Sequence, residues 1–198
     1  MARTKSSTPS DASPVASPVY TAVVTRRSHS KVTNRAPDTD ELESLVAAAG
    51  RVADHASLHP WRLIALRGDA RSRLGAALAK AAKLKGSDAA SLAAKPLRAP
   101  LLVAVVFRPE KSQKVADWEQ EAVASGVAHM LSLLLHDAGW GVIWRTGPHT
   151  RAKAVAKMHG LRKGELLLGW LYVGGVPARS GSSHAKTVRA DKYLSTLD

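Results

Sequence analysis

The first candidate for chemistry is the triplet Arg26, Arg27 and Ser28, which follows a short apolar segment. Two guanidinium groups beside a hydroxyl can hold a phosphate, because arginine offers a planar bidentate fork to oxyanions. Arginine pairs are also common on ordinary protein surfaces, so the triplet alone is a weak signal. It indicates an anion site only if a second cationic segment lies close to it in the fold.

A second cationic segment is Trp144-Arg145-Thr146-Gly147, which follows a short apolar run that reads as a strand. Ligands commonly bind where a strand of an α/β sheet ends in a turn, so Arg145 and the Thr146 hydroxyl are expected to hold a second face of a phosphate. Between Ala138 and Gly164 there is no acidic residue, and the basic ones are Arg145, Arg151, Lys153, Lys157, Arg162 and Lys163. Such a run concentrates anionic ligands, although an ordinary basic surface would explain it equally well.

The third candidate is the stretch DHASLHPWR, residues 54–62, which is rich in reactive types for a helix-to-strand connection. Arg51 and His55 are one helical turn apart and are expected to point the same way, with His59 and Trp61 close by. A cation, an imidazole and an indole around one spot suit a planar, anionic, redox-active ring. Zinc would need a further histidine or carboxylate at suitable spacing. The alternative is that Trp61 is a core residue and that the histidines only cap the helix.

Other catalytic signatures are missing from the sequence. There is no cysteine, which excludes thiolate catalysis, disulfides and cysteine zinc sites. There is also no G-x-S-x-G, H-E-x-x-H or P-loop pattern. Glu119 and Glu121 in WEQE project from different sides of a helix, so we expect them to support the fold or to pair with an arginine. We therefore predict no metal site and no side-chain nucleophile.

The elements that must position these residues are an alternation of helices and strands, as the hydrophobic pattern indicates. The predicted helices cover residues 19–25, 39–52, 70–84, 88–94, 114–138 and 150–159. The predicted strands cover residues 63–66, 101–107, 142–144 and 166–173. Asp38 or Thr39 is expected to cap the second helix, and Gly139 to end the fifth. The second strand, LLVAVVF, is apolar throughout and should be covered on both faces.

The fifth predicted helix contains AVASGVAHMLSLLL, residues 122–135, which is apolar nearly all round. An exposed helix needs a polar face, so this helix should be buried on every side. Small residues at positions 124–126 and 128 would let a second backbone come close. We therefore predict that the helix lies at a homodimer interface; the alternative is the central core helix of a monomer.

The composition predicts one folded body between two weakly apolar ends. Of the 198 residues, 45% are hydrophobic, and no apolar run is long enough to span a membrane. Residues 1–17 should be a disordered extension without a secretory apolar region, residues 18–177 the domain, and residues 178–198 a tail. The net charge of +13 lies mostly in the domain, which suggests an anionic partner such as a phosphate-bearing cofactor or nucleic acid. We expect a cytoplasmic location and no membrane partner.

The order of these motifs resembles the FMN-dependent nitroreductase family, above all its compact bacterial members. The shared motifs are RRS, PWR, RAP before an apolar strand, WEQE before a long helix, WRTG and a closing GWLYVGG. Together they span residues 19–177. The resemblance implies an α+β fold with a central, mostly antiparallel sheet flanked by helices. It also implies an intertwined homodimer with two FMN sites between the subunits.

Matched position by position, the resemblance assigns as FMN-binding residues Arg26, Arg27, Ser28, Arg51, His55, Trp144, Arg145 and Thr146. Arg26, Arg27 and Ser28 would hold the phosphate and the ribityl chain. Trp144, Arg145 and Thr146 would lie on the phosphate side. Arg51 and His55 would reach the flavin from the partner subunit. His59 and Trp61 would line the substrate pocket. The chain departs from its compact relatives at Thr146, where they usually have serine, and at Ala53, where a proline is missing.

The activity implied is reduction of small acceptors, such as nitroaromatics or quinones, with NADPH or NADH as electron donor. The reaction would be ping-pong, with hydride transfer to the flavin before the acceptor binds, and the basic body favours NADPH. One alternative is a flavin-binding store or sensor with little reductase activity. Another is a nucleic-acid binder, which is disfavoured because only 5% of residues are aromatic and no recognised nucleic-acid motif occurs.

Overall fold

A computed structural model describes residues 17–178 and 188–197 of the chain. Its helices are α1 Pro18–Thr25, α2 Thr39–Ala49, α3 Asp69–Ala82, α4 Gly86–Ala93, α5 Asp117–Asp137 and α6 Lys153–Met158. Its strands are β1 Trp61–Leu66, β2 Leu101–Phe107, β3 Trp140–Arg145 and β4 Leu166–Gly175. The expected disorder of residues 1–17 falls, except for Ser17, outside the described residues, and so does the part of the tail at 179–187.

The four strands form one sheet in the order β1-β2-β4-β3, and every neighbouring pair is antiparallel. All seven residues of β2 are buried, which confirms that this strand is covered on both faces. The α+β fold implied by the resemblance is therefore the observed one. The prediction of a ligand at Arg145 assumed the strand ends of an α/β sheet. This premise is wrong, because the alternation of helices and strands does not determine strand direction, and β3 pairs antiparallel with β4.

Two hydrophobic cores lie on opposite faces of the sheet. Alternate residues of β2 face opposite ways, as the two-residue period of a strand requires. Leu101, Val103 and Val105 pack in the core beneath α2 and α5. Leu102, Ala104 and Val106 pack in the other core, which includes Leu74 of α3. The sheet thus separates an α5 side from an α3 side.

Helix α5 begins at Asp117, three residues later than predicted. The Ser112 hydroxyl accepts from the backbone N–H of Val115 at 3.0 Å, so the chain before Asp117 forms a turn rather than helix. The buried residues of α5 are Gln120, Ala124, Val127, Ala128, Leu131, Ser132 and Leu135. Met130 on the other face is 38% exposed. One chain therefore covers one face of this helix, and its place at a homodimer interface stays a prediction.

Two further differences from the predicted helices concern α2 and the final helix. Helix α2 ends at Ala49, so Arg51 lies beyond it and the helical spacing assumed for Arg51 and His55 is wrong. The predicted final helix is split into a 3₁₀ turn, Pro148–Arg151, and α6. The predicted cap of α2 is confirmed, because Asp38 Oδ1 accepts from the backbone N–H of Glu41 at 2.9 Å. Within the described ranges, no helix is long and apolar enough to cross a bilayer.

Candidate functional site

The Arg26-Arg27-Ser28 triplet is held against the edge of the sheet by the segment that follows it. The backbone N–H of His29 donates to the carbonyl of Val142 on β3 at 2.9 Å, and that of Thr33 donates to the carbonyl of Gly175 at 2.8 Å. A Cβ at Gly174 would lie 2.6 Å from Val32 Cγ2. The closing glycines of β4 thus leave room for this segment to cross the sheet edge, and the crossing fixes where the triplet lies.

Arg26 and Ser28 open into a cavity of about 320 Å³, here called the α5 cavity. The cavity lies between α1, α5 and β3. Its lining residues are Val23, Arg26, Ser28, His129, Ser132, Leu133 and Trp144. The sequence grouped Arg26, Ser28 and Trp144 as parts of one site, and the structure brings these three side chains together. Arg27 is half-buried beside them but does not line the cavity.

The region around the triplet carries a positive electrostatic potential. Burial lowers the pKa of His29, and the neighbouring His136, Arg27 and Arg26 lower it further. Burial likewise lowers the pKa of His136, with Arg26 as the next cause, while Asp137 opposes the shift. Cationic neighbours that disfavour a further positive charge favour a negative one. The triplet is therefore electrostatically suited to an anion.

A second cavity, of about 370 Å³, lies at the end of β3 and is here called the β3 cavity. Its cationic and imidazole side chains are Lys95, Arg98, Arg145 and His149, and none of its lining residues within the described ranges is acidic. Its other lining residues are Leu78, Leu92, Ile143, Trp144, Thr146, Gly147, Pro148, Trp170 and Tyr172. The cavity therefore combines an apolar, partly aromatic wall with several positive charges.

The two cavities meet at Trp144. Side chains alternate along β3, so Trp144 packs on the α5 side of the sheet while Arg145 points to the α3 side. There the Arg145 guanidinium lies 5.5 Å from the ring centre of Tyr172, in a cation–π contact. Arg145 and Thr146 thus face the β3 cavity and not the α5 cavity of Arg26. Their assignment to the phosphate side of FMN stays a prediction.

Lys95 and Arg98 were not predicted as site residues, although Arg98 belongs to the RAP motif. They lie in a 3₁₀ turn, Lys95–Arg98, that contains the buried Pro96 and leads into β2. A 3₁₀ helix has three residues per turn, so these two side chains lie on the same face. The available signal was a lysine three residues before the arginine of the RAP motif. It is a weak signal, because the turn type decides whether such residues share a face.

His55 lies away from the α5 cavity, near the start of α5, and Arg51 does not line that cavity. His55 Nδ1 is 3.8 Å from Glu119 Oε1, and Glu119 Oε2 accepts from the backbone N–H of Ala116 at 2.9 Å. His129, at the α5 cavity, lies ten residues further along the helix, or about 15 Å at 1.5 Å per residue. One chain therefore does not bring His55 to Arg26.

The loop that carries His55 and His59 has an unusual backbone. Three of its non-glycine residues have positive φ: Ala56 at 62°, Ser57 at 52° and His59 at 47°. Asp54 secures the loop, since its Oδ2 accepts from the backbone N–H of His59 at 2.8 Å. Left-handed conformations at non-glycine residues are strained and concentrate at functional sites. The strain marks this loop as a candidate for function, with His55 and His59 exposed on it.

Trp61 is half-buried and packs against the α5-side core. A Cβ at Gly50 would lie 2.9 Å from Trp61 Cζ2, so the absence of a side chain at Gly50 lets the indole approach the end of α2. The structure thus supports the reading of Trp61 as a core residue. Its assignment, with His59, to a substrate pocket stays a prediction.

Two further expectations concern charged groups. Glu119 caps the start of α5 and lies near His55, so it supports the fold rather than pairing with an arginine. Of the basic run, Arg151 donates to the carbonyl of Leu167 at 2.8 Å and so has a structural contact. Among the described residues, no group of three or more histidine, aspartate or glutamate side chains could hold a metal ion.

The chain is similar to known proteins in sequence and in fold. The model of the Nitroreductase family matches residues 23–175. YdjA of Escherichia coli (strain K12), whose name places it provisionally among the NAD(P)H nitroreductases, is 32% identical over 164 residues, which cover 81% of this chain and 90% of that protein. A similarly named protein of Haemophilus influenzae is 28% identical over 158 residues, which cover 78% of this chain and 86% of that protein.

Solved structures share the fold at lower sequence identity. A nitroreductase-like family protein from Bacillus cereus superposes with a TM-score of 0.78 at 21% identity, covering 94% of this chain and 100% of that chain. A nitroreductase from Bacteroides fragilis, solved with bound FMN, gives a TM-score of 0.72 at 16% identity, covering 92% of this chain and 100% of that chain. Because the family model covers most of the chain, the protein belongs to the nitroreductase family.

Proposed function

We propose that this protein is an FMN-dependent oxidoreductase that uses NAD(P)H to reduce small acceptors, nitroaromatics and quinones among them. The observation that carries the proposal is the pair of cavities that meet at Trp144, with Arg26 and Ser28 in one and Lys95, Arg98 and Arg145 in the other. Family membership and relatives named as NAD(P)H nitroreductases support the same conclusion.

The side chains at the two cavities suit the parts of FMN. The β3 cavity, at about 370 Å³, falls in the size range of small-molecule pockets, and its aromatic and aliphatic wall suits a planar ring system. The α5 cavity offers a guanidinium and a hydroxyl to a phosphate. The indole Nε1 of Trp144, between the two, is buried and has no hydrogen-bond partner among the described atoms.

The protein's own groups would bind and polarise the cofactor. Bound FMN supplies the hydride chemistry. Arg26 and Ser28 would hold the phosphate end, with Arg27 adding to the local positive potential. Because Arg145 faces the β3 cavity, we propose that it lies by the ring and not at the phosphate. With Lys95 and Arg98 it would stabilise negative charge on the ring, since cations fixed in place cost no reorganisation.

The complete site needs a second copy of the chain. His55 lies too far along α5 from Arg26 to meet the same ligand within one chain, so Arg51 and His55 would reach the flavin bound by the partner, as the resemblance implies. His59 and Trp61 would then shape the acceptor pocket. Helix α1, which has no buried residue, and the open face of α5 would form the homodimer interface.

NADPH is the proposed donor over NADH because the body is basic, with a net charge of +13 on the chain. Lys153 is the residue to test, since Arg151 has a structural contact. Lys153→Glu should reduce the preference for NADPH. An unchanged ratio of kcat/KM for the two donors would contradict this assignment.

The experiment that tests the proposed function is the absorbance spectrum of the purified protein, followed by heat release of any chromophore and NADPH oxidation with a panel of acceptors. Two flavin bands, FMN in the supernatant and acceptor-dependent oxidation are the expected result. Flavin without turnover would instead identify a store or sensor. A colourless protein that takes up no added FMN would refute the proposal, and a salt-dependent duplex DNA shift would then favour nucleic acid.

A further inference from the structure

The α5 cavity contains two polar side chains that no motif explains. His129 and Ser132 are three residues apart on α5 and so lie on one face of the helix. They stand opposite Arg26 and Ser28, which belong to the segment after α1. A groove with a guanidinium and a hydroxyl on one wall, and an imidazole and a hydroxyl on the other, offers hydrogen-bond donors from two sides.

His129 is held in position by Trp144. The two ring centres are 5.0 Å apart and the ring planes meet at 81°, an edge contact. The imidazole is exposed. In the described part of the chain, His136 and His159 use ring nitrogens in hydrogen bonds, whereas no such bond involves those of His129. Packing orients the ring, and its nitrogens remain available to a ligand.

The charge around this cavity favours an anion. In the part of the chain that the structure describes, no acidic residue lines it. Burial lowers the pKa of His29 and of His136, and the cationic neighbours Arg26 and Arg27 lower both further. Ser132 is only 8% exposed, so an anion at its hydroxyl would be partly shielded from water. Partial desolvation strengthens charge-assisted hydrogen bonds.

We propose that His129 and Ser132 are phosphate-binding residues, which complete from α5 the site that Arg26 and Ser28 form from the other wall. The inference rests on the proposed function, because the phosphate is that of FMN. It adds two residues outside every motif used to assign the family. It also gives a reason for polar side chains within the otherwise apolar stretch of residues 122–135.

The test compares FMN with riboflavin, which has the same ring and no phosphate. The full-length protein is stripped of flavin and titrated with each compound while flavin fluorescence is followed. The variants are His129→Phe, which keeps an aromatic edge against Trp144, His129→Gln, which restores an N–H donor, and Ser132→Ala. His149→Phe, at the β3 cavity, is the matched control.

His129→Phe should weaken FMN binding about tenfold and leave riboflavin binding unchanged, because only the phosphate contact is lost. Ser132→Ala should weaken FMN alone about fivefold, and His129→Gln should recover part of the affinity. His149→Phe should affect both flavins by the same factor.

Two results would overturn the inference. Equal weakening of FMN and riboflavin by His129→Phe would show that His129 only supports Trp144. Unchanged affinity for FMN in both His129→Phe and Ser132→Ala would show that neither side chain touches the phosphate. A wild-type chain that takes up neither flavin would refute the proposed function itself. This outcome differs from the two above, because flavin fluorescence would then show no binding even to the wild type.

Discussion

At the scale of single residues, Arg145 shows how one position acquires a specific role. It follows Trp144 directly, yet the two side chains lie on opposite faces of the sheet because strand residues alternate. Trp144 closes one side of the α5 cavity, and Arg145 faces the aromatic wall of the β3 cavity near Tyr172. Burial raises the pKa of Tyr172 and Arg145 opposes that shift, so the phenol stays neutral beneath the guanidinium.

The first prediction concerns the cationic residues. Arg145→Ala should weaken FMN retention by about 1.5–3 kcal/mol, the usual contribution of a charged hydrogen bond. Arg27→Ala should weaken it less, because Arg27 does not line the α5 cavity and adds only to the potential there. Flavin content after purification and the dissociation constant for added FMN measure this effect. Lys80→Ala, on α3 away from both cavities, is the control. Full flavin content in both arginine variants would show that neither residue binds the cofactor.

The second prediction concerns the ion pair that joins β1 to the loop before β4. Glu165 accepts from Arg62 Nε at 2.8 Å and Nη2 at 2.7 Å, and from the backbone N–H of Arg162 at 2.8 Å. The hydrogen bond from Arg62 is the main reason that the pKa of Glu165 is lowered. Glu165→Gln should reduce the free energy of unfolding by about 1.5–3 kcal/mol at neutral pH.

Urea unfolding at two pH values measures this effect. A carboxylate whose pKa is lowered by folding stabilises above its unfolded pKa and loses that contribution as the pH falls through the folded value. The difference between wild type and Glu165→Gln should therefore shrink in acid. A difference that is constant with pH would show that the loss comes from packing and not from the charge.

The third prediction concerns His159, which is 7% exposed. Its Nε2 accepts from the Trp170 indole at 3.0 Å, and Nδ1 lies 2.8 Å from the carbonyl oxygen of Val155. Burial is the main cause that lowers its pKa. A histidine kept neutral in the fold binds a proton more readily when unfolded, so its contribution to stability is present above pH 6.5 and is lost as the pH falls below it.

The measurement is the free energy of unfolding between about pH 7.5 and pH 5.5. The wild type should lose stability over this range. His159→Gln should be less stable at the higher pH, but its free energy of unfolding should fall less as the pH is lowered. If the free energy of unfolding falls equally in both proteins, the acid sensitivity comes from His29 and His136, whose pKa values are lowered as well.

At the scale of elements, the loop between α2 and β1 holds non-glycine residues at positive φ, a backbone conformation that they disfavour. Ala56 has φ 62°, a conformation that costs an L-residue about 1–2 kcal/mol. The loop keeps it because Asp54 fixes the position of His59 and β1 follows at once. We interpret the strain as the consequence of presenting His55 and His59 at the surface.

The fourth prediction follows from that strain. Ala56→Gly should raise the free energy of unfolding by about 0.5–1 kcal/mol, because glycine adopts positive φ without a steric penalty. Ala122→Gly, at an exposed position of α5, should lower it by about 0.5–1 kcal/mol. Thermal unfolding of the two variants gives the comparison. If Ala56→Gly destabilises as much as Ala122→Gly, the loop is not strained.

At the scale of the whole molecule, several apolar groups have no partner within one chain. In α1, Val19 is 70% exposed and Val24 is 44% exposed. In the tail, Tyr193 is 81% exposed and Leu197 is 97% exposed. Exposed apolar groups of this extent mark surfaces for association. They are consistent with the homodimer that the site requires if Arg51 and His55 are to reach a flavin.

The fifth prediction tests the homodimer. Val24→Asp should shift the protein towards monomer, because a carboxylate in an apolar interface is costly to desolvate, and flavin content should fall with it. Sedimentation equilibrium and the flavin-to-protein ratio measure the two effects. Ala76→Asp, an exposed position on α3, is the matched control and should change neither. A wild-type monomer with full flavin content would contradict both the interface and the role given to His55.

The sequence by itself determined the residue types at the site, the order of the motifs and the position of the buried strand. Those features depend on local pattern and on the apolar character of a run such as LLVAVVF. Helix ends were less certain, because α2 stops at Ala49 and α5 begins at Asp117 for reasons that lie in turns and side-chain hydrogen bonds.

Only the tertiary structure decided which side chains share a cavity. Strand direction and register place Trp144 and Arg145 on opposite faces, and a 3₁₀ turn more than forty residues earlier adds Lys95 and Arg98 beside Arg145. His129 and Ser132 meet Arg26 because a crossing segment fixes the triplet against β3. These contacts join residues far apart in the chain, so no local pattern specifies them; the packing of helices on the two faces of one sheet does.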